Sequence, residues 1–476
     1  MSQSRQAIVW SVLNALGTRG MNFVVYLFLA RLLGPEGFGI FALGMAAISF
    51  LEIVCEHKFQ PILIQRDTLS DAQTSSVFYF QMGLGLVSGV VLCLGAGAFG
   101  RLFNEPRLAE IMPWLALSLL INTSTYVHEA LLKRDLHFKT LTLRSMAANL
   151  FGGVVGVVLA FAGFGVYSMA IMTLTSAVAG ALVLWRTSPW RPRSSWSAAD
   201  FMPLYRSARV LAGTSIAGAV VTHTNTFLVG YVYGTAVAGL YAFVLRIYDV
   251  LMRVTTFSLS DAAFPIFARK VNDLKDYRAT FESLLGSAGT LTVGLLMIVG
   301  AVAPVLIPLC FGERWAGASD YLVIYMVTGA VISVGAYNDV TLLAFGRTRQ
   351  MAATQLVGFL IWLAMLPLLK VFGPIFPAVA WCLKETVLFP VKARWALGLM
   401  EMPAGAYMKR MGAVVGAGFA AYAAVYATQH LMNAHRLPLL VTSVVVGAAV
   451  FGAVIVLAGG SLAPVLARLS GLVKRR

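Results

Sequence analysis

The sequence predicts an all-α polytopic membrane protein of about fourteen transmembrane helices, built as two pseudo-symmetric six-helix bundles followed by two further C-terminal helices. Three observations predict it. Of 476 residues, 59% are hydrophobic and 12% are charged, and the mean hydropathy is +0.80, whereas a soluble domain carries roughly a quarter charged residues. Apolar stretches of about 20 residues, the length a helix needs to cross a bilayer, recur from end to end. With the N-terminus taken as cytoplasmic, 26 of the 36 Lys and Arg fall in inner segments and 6 in outer ones, the asymmetry that orients membrane helices.

The first two stretches, 8–33 and 38–56, flank a turn at Gly34-Pro35, and 76–100, 111–132, 142–163 and 165–185 complete the first bundle. The second bundle takes 208–233, 236–265, 284–310, 320–346, 350–370 and 374–391; the two additional spans are 411–430 and 437–459. The domains expected are therefore 1–190, 191–400 and 401–476, and an even number of spans returns both termini to the cytoplasm. The segment 269–282 has the charge pattern of an amphipathic helix lying along the cytoplasmic interface. No cleavable leader is expected, because the first stretch is too long for a signal h-region. Tryptophans such as Trp185 and Trp315 fall near span ends, as an interfacial belt would place them.

Composition also narrows chemistry. The net charge of +16 comes from short basic runs between spans, so no nucleic acid is expected as a partner. Cys55, Cys93, Cys310 and Cys382 lie in or beside apolar spans without a CxxC, which reads as buried thiols, and no metal or other cofactor is expected.

An internal repeat is visible. Phe28–Leu43 reads FLARLLGPEGFGIFAL and Leu228–Phe243 reads LVGYVYGTAVAGLYAF, so that Gly34 and Gly39 correspond to Gly234 and Gly239. Pro61-Ile62 falls near Pro265-Ile266, and Phe164-Gly165 near Phe372-Gly373. Halves that both begin inside share one topology, and a pseudo-twofold along the membrane normal with a cavity between the bundles would follow.

Four cations remain inside the spans: Arg19 in the first, Arg246 and Arg253 in the eighth, and Lys384 in the twelfth. Each costs roughly 2.5–3.5 kcal/mol at bilayer depth on insertion scales, so each is expected to face water, a counter-ion or a ligand. The spacing of Arg246, Asp249, Arg253 and Asp261 puts all four on one helical face, with internal pairing and a cationic surplus. Lys384 and Glu385, being neighbours about 100° apart on a helix, are expected not to pair tightly. Asp249, Asp261, Asp339 and Glu385 are the candidate counter-charges or coupling groups, while Glu52, Glu129 and Asp339 near inner span ends read as snorkelling or loop-facing, with a coupling-ion role for any one of them the alternative. His57, His128 and His137, in or beside inner loops, read as solvated or interfacial. Mid-span cations point to an anionic substrate, and arginine suits phosphate through bidentate hydrogen bonds.

The Ala30–Leu43 segment ARLLGPEGFGIFAL after an arginine-bearing span, the PILIQR segment at Pro61–Arg66, the duplicated halves and the two extra spans resemble the Wzx-type polysaccharide repeat-unit flippases. These form the lipopolysaccharide or capsule exporter branch of the multidrug/oligosaccharidyl-lipid/polysaccharide exporter superfamily. The resemblance implies a non-enzymatic transporter of the bacterial inner membrane. It would move polyprenyl-diphosphate-linked oligosaccharide from the cytoplasmic to the periplasmic leaflet by alternating access, with Arg19, and less directly Arg246, Arg253 and Lys384, as cavity cations. It further implies a polysaccharide polymerase and a chain-length regulator as partners. Two other classes stay open. A cation-coupled drug antiporter of the same superfamily would carry unpaired carboxylates in its lumen, and a membrane glycosyltransferase or polymerase would need acid/base groups near the membrane surface, commonly in large outer loops.

Overall fold

A computed structural model describes the backbone of residues 3–66, 68–194, 196–432 and 435–457, with side chains from residue 21 onward in those ranges except at 23, 214, 217, 218, 220–222, 287, 288 and 457. The described residues form helices joined by short turns, as a hydrocarbon environment requires when backbone N–H and C=O groups have no water to bond. Ten helical segments are long and apolar enough to cross a membrane. The expected spans lie on helices, but not each on one: 111–132 is broken between Pro106–Thr123 and Tyr126–Arg134, 350–370 between Thr348–Met365 and Leu369–Phe372, and the end of 437–459 lies outside the described residues. The chain divides into two compact units, 1–242 and 243–476.

The first unit contains α1 (Gln3–Glu56), α2 (Phe59–Gln65), α3 (Asp71–Leu102), α4 (Pro106–Thr123), α5 (Tyr126–Arg134), α6 (Phe138–Phe161), α7 (Tyr167–Thr187), α8 (Ala198–Tyr233) and the start of α9 (Thr235–Met252). Local chemistry sets the boundaries. Ser70 and Gln73 make a reciprocal capping box at the start of α3, and Ser197 caps α8 by accepting from the Asp200 N–H. Glu105 caps α4, and its carboxylate also binds Arg107, which reaches across to Glu36.

The repeated turns adopt one conformation. Gly34 kinks α1 at φ 70°, ψ 177°, and Gly234 separates α8 from α9 at φ 85°, ψ 174°, a region in which only glycine is unstrained. Five residues on, the helices that follow touch backbone to backbone. A Cβ on Gly39 would stand 1.8 Å from the Thr235 carbonyl oxygen, and one on Gly239 would stand 1.8 Å from that of Pro35. Pro35 and Thr235, like Gly39 and Gly239, are 200 residues apart, so this crossing is locally twofold.

The segment after α7 is strapped to the first turns of α3. The Arg193 and Ser197 N–H groups donate to the Ser75 and Ser76 hydroxyls at 3.0 and 3.1 Å, the Trp190 indole N–H donates to Thr74, and Arg193 pairs with Asp71. Trp185 and Trp190 close over His128, with ring centroids 4.6 and 5.0 Å away. His128 is therefore fully buried, not solvated as its loop-side position suggested.

The second unit continues α9 through a π-helical turn at Arg253–Phe257 into α10 (Ser258–Lys270), then α11 (Leu274–Leu284), α12 (Thr290–Phe311), α13 (Ala318–Ala344), α14 (Thr348–Met365), α15 (Leu369–Phe372), α16 (Phe376–Met400), α17 (Ala404–Leu431) and α18 (Arg436–Leu457). Asp273 caps α11, the expected amphipathic helix. Its apolar residues Tyr277 and Phe281 are fully buried against Phe267, Phe345 and Tyr407, so that face is spent on the protein's own core. Trp315, expected in an interfacial belt, is likewise fully buried, 4.3 Å from the Phe243 ring.

Candidate functional site

Of the charged residues singled out from the sequence, Arg246, Asp249, Arg253, Asp339, Lys384 and Glu385 lie in the second unit, on α9 and the π turn that follows it, α13 and α16. On α9, Arg253 binds Asp249 through Nε at 2.9 and 3.1 Å, one turn apart, with both side chains about half exposed. Arg246 lies three residues before Asp249 and is also exposed. Asp261 does not join them. It lies eight residues beyond Arg253, past the π turn at Arg253–Phe257, and makes no ion pair with Arg246 or Arg253 among the described residues.

On α16, Lys384 and Glu385 do pair, at 2.8 Å between Nζ and Oε1. The expectation that helical neighbours stay apart considered only the Cβ directions; four methylenes let the ammonium curl back over its neighbour. Two contacts hold it there. The ammonium sits 3.7 Å from the centroid of Trp381, a cation–π contact, and the stem lies along Gly358 of α14, where a Cβ would come within 3.5 Å of the Lys384 Cδ. Glu385 also lies within electrostatic reach of Tyr248 and Asp339. Asp339 on α13 accepts from Lys392 at 3.0 Å. Each of Asp249, Asp339 and Glu385 thus has a cation of its own. Arg19 lies outside the residues whose side chains the structure describes.

The first unit holds a different arrangement. Ser49, Glu52, Ile53 and Glu56 share one face of α1 at spacings of three, four and seven residues. With Asn122 at the end of α4, Tyr126 of α5 and Arg144 of α6, they line a cavity of about 390 Å³ that is open on one side. Glu52 accepts from the Asn122 amide at 3.2 Å. Glu56 pairs with Lys58, and Glu129 takes both Lys133 at 2.8 Å and Arg144 at 3.2 Å. The Arg144 guanidinium packs over Gly180 of α7, where a Cβ would come 3.3 Å from its Nε. Glu52 and Glu129 therefore have fixed partners in place of the snorkelling their positions suggested. The polar face of α1 was legible as a periodicity; Asn122 and Tyr126 arrive from other helices, and only folding brings them to it.

Residues 28–320 match the family described as polysaccharide biosynthesis protein. The chain belongs to that family. Over 325 residues it is 25% identical to the succinoglycan biosynthesis transport protein ExoT of Rhizobium meliloti, an alignment covering 68% of this chain and 66% of that protein. Over 335 residues it is 25% identical to the lipopolysaccharide biosynthesis protein WzxC of Escherichia coli, covering 68% and 67%, and over 302 residues 22% identical to the teichuronic acid biosynthesis protein TuaB of Bacillus subtilis, covering 63% and 62%. The chain spans about two thirds of the length of these relatives. Its fold resembles that of the lipid II flippase MurJ in an inward closed conformation, with a TM-score of 0.73 at 13% identity over 94% of this chain and 98% of that one. It also resembles an inward-facing multidrug resistance MATE family transporter, with a TM-score of 0.56 at 14% identity over 84% and 100%. At these identities the likeness is one of fold alone. This family member is a multi-pass helical membrane protein, and the resemblance to Wzx-type proteins agrees with its match to WzxC.

Proposed function

We propose that the protein is a flippase that carries polyprenyl-diphosphate-linked oligosaccharide repeat units from the cytoplasmic to the periplasmic leaflet by alternating access, for surface polysaccharide assembly. The observation that carries this reading is the family match across residues 28–320 in a chain that is membrane helix almost throughout. In such a chain a role in polysaccharide biosynthesis is most directly one of transport. The proposed organisation is two six-helix bundles plus two helices, in the bacterial inner membrane, with both termini cytoplasmic. A polymerase and a chain-length regulator would act on the exported product.

The diphosphate is the polar part of the substrate nearest the lipid, and cations are its natural ligands. Arg246, Arg253 and Lys384 are candidates, the last two able to exchange Asp249 and Glu385 for phosphate oxygens; Arg19 remains a candidate on sequence grounds. The neutralised pairs support a resting state in which those cations are held by carboxylates until an anion displaces them. An inside-negative potential favours outward movement of an anion by about 2.3 kcal/mol per charge per 100 mV.

Deletion of the gene followed by mass analysis of the polyprenyl-linked pool tests the reading. Complete repeat units should accumulate on the lipid and clear when the gene is restored; an unchanged pool would reject it. For orientation, a reporter active only in the periplasm should be silent when fused at Ser194 and active at Glu313, and the reverse pattern would invert the topology.

A further inference from the structure

We infer that the cavity of the first unit is a sugar-binding subsite that receives the neutral glycan of the substrate, with Glu52, Asn122 and Tyr126 as its recognition groups. The inference rests on the flippase reading and adds to it a specificity element remote in sequence from the cationic residues.

Size comes first. About 390 Å³ falls in the range of roughly 300–1,000 Å³ typical of small-molecule sites. A dehydrated metal cation needs no such room; it needs six to eight oxygens converging at 2.3–2.6 Å if it is calcium-like, and no group of three His, Cys, Asp or Glu suited to a metal occurs among the described residues.

Charge comes second. Glu52 is held by an amide, and its nearest charged neighbour of consequence is Glu56, another carboxylate. The Arg144 charge is already shared with Glu129. Lys58 is likewise held by Glu56, so the cations beside the cavity already have carboxylate partners, and the cavity suits the uncharged part of the substrate.

Hydrogen-bonding chemistry comes third. Glu52 and Glu56 only accept, Arg144 only donates, and Asn122, Ser49 and the Tyr126 hydroxyl do both. A sugar ring presents several hydroxyls that each donate and accept, and this mixed wall can satisfy them in either sense. A carboxylate receiving a sugar hydroxyl makes a charge-assisted bond, stronger than a neutral one. The Tyr126 ring and Ile53 add apolar surface for the C–H faces of a ring. The lining side chains are all half-buried, held by packing yet reachable.

The test uses the full chain purified in detergent and two probes measured by calorimetry: the oligosaccharide repeat unit released by mild acid from the host's lipid-linked pool, and inorganic diphosphate. Glu52→Gln is nearly isosteric and keeps an acceptor for Asn122, so it should fold. It should weaken oligosaccharide binding about tenfold, the scale of one charge-assisted bond, and leave diphosphate binding unchanged. Tyr126→Phe should weaken the oligosaccharide a few-fold, and Asn122→Ala should act in the same direction as Glu52→Gln. Unchanged oligosaccharide affinity in all three variants would overturn the inference, as would equal loss of both probes. A variant that keeps its oligosaccharide affinity but loses a sodium or proton dependence of export would make the cavity a coupling-ion site and also overturn it. If the wild-type gene fails to clear the lipid-linked pool in the deletion strain, the flippase reading falls; if it clears the pool while the variants bind as wild type does, only the subsite falls.

Discussion

The two copies of the glycine turn share one conformation, and Glu52 of the first unit is held differently from three carboxylates of the second. Gly34 and Gly234 adopt matching conformations, and the glycines five residues later meet in a reciprocal backbone contact. In the second unit Asp249, Asp339 and Glu385 each have a cation. In the first unit Glu52, at a cavity wall, is held by an amide. A carboxylate paired with a cation has traded its hydration for a counter-charge and offers little to a neutral ligand. A carboxylate held by an amide keeps acceptor capacity. The two turns thus share backbone geometry, while on our reading the charged side chains of the second unit serve an anion and Glu52 of the first serves a polyol.

The shared part should be the more fragile. Gly39→Ala or Gly239→Ala places a Cβ where a backbone oxygen already sits, and the helices must separate. We expect a loss of about 3 kcal/mol or more, read as failure to recover monodisperse protein by size exclusion. A variant of wild-type stability would mean the crossing is not so close.

The contrast between paired and unpaired carboxylates can be broken by deleting a partner. Lys384→Met leaves Glu385 without its cation at a site where both side chains are largely buried, and it should cost about 2 kcal/mol, somewhat less than a fully buried broken pair. The double change Lys384→Met with Glu385→Gln should recover most of that, measured by thermal unfolding in detergent as a double-mutant cycle. Glu52→Gln should shift stability by less than about 1 kcal/mol, because no charge pair is lost. If Glu52→Gln proved the more damaging of the two, the contrast would be wrong.

Arg253→Ala sharpens the comparison from the exposed side. The Arg253–Asp249 pair is a one-turn helical pair with both partners about half exposed, so its removal should cost only about 0.3–0.5 kcal/mol. Export in cells should nonetheless fall if Arg253 exchanges its carboxylate for phosphate.

The smallest effect belongs to the cap of α4. The hydrogen bond from Arg107, opposed by burial, holds the Glu105 carboxyl below the usual carboxylate range. A group whose folded value is depressed stabilises above its unfolded value and loses that contribution as pH falls through the folded one. The melting temperature should therefore drop slightly as pH falls below about 4.5, the carboxyl's ordinary value, and that part of the drop should vanish in Arg107→Ala.

Much of the fold was legible because a bilayer leaves few options. The helical class and most span positions follow from the run of apolar stretches, the breaks inside 111–132 and 350–370 do not, and the glycine pair at 34 and 39 announced its copy at 234 and 239. The site was legible only in part. Arg246, Asp249 and Arg253 could be grouped from their spacing, but that spacing grouped Asp261 with them as well, and the ion pair that forms is Arg253 with Asp249 alone. The pairing of Lys384 with Glu385 depends on a flexible stem, on the Trp381 ring beneath it and on Gly358 from another helix. The burial of His128 depends on a strap whose tryptophans lie more than fifty residues away. Asn122 and Tyr126 are unremarkable until α1 and α6 bring Glu52 and Arg144 beside them.

The central claim is that the chain itself moves a lipid-linked glycan across a bilayer. The direct measurement is reconstitution of the purified protein into sealed vesicles loaded with the host's polyprenyl-diphosphate-linked repeat unit, followed by capture of outward-facing glycan with a membrane-impermeant lectin. Protein-containing vesicles should surrender the glycans of both leaflets, and protein-free vesicles only those of the outer one; identical capture from the two, with sealed vesicles and folded protein, would contradict the account.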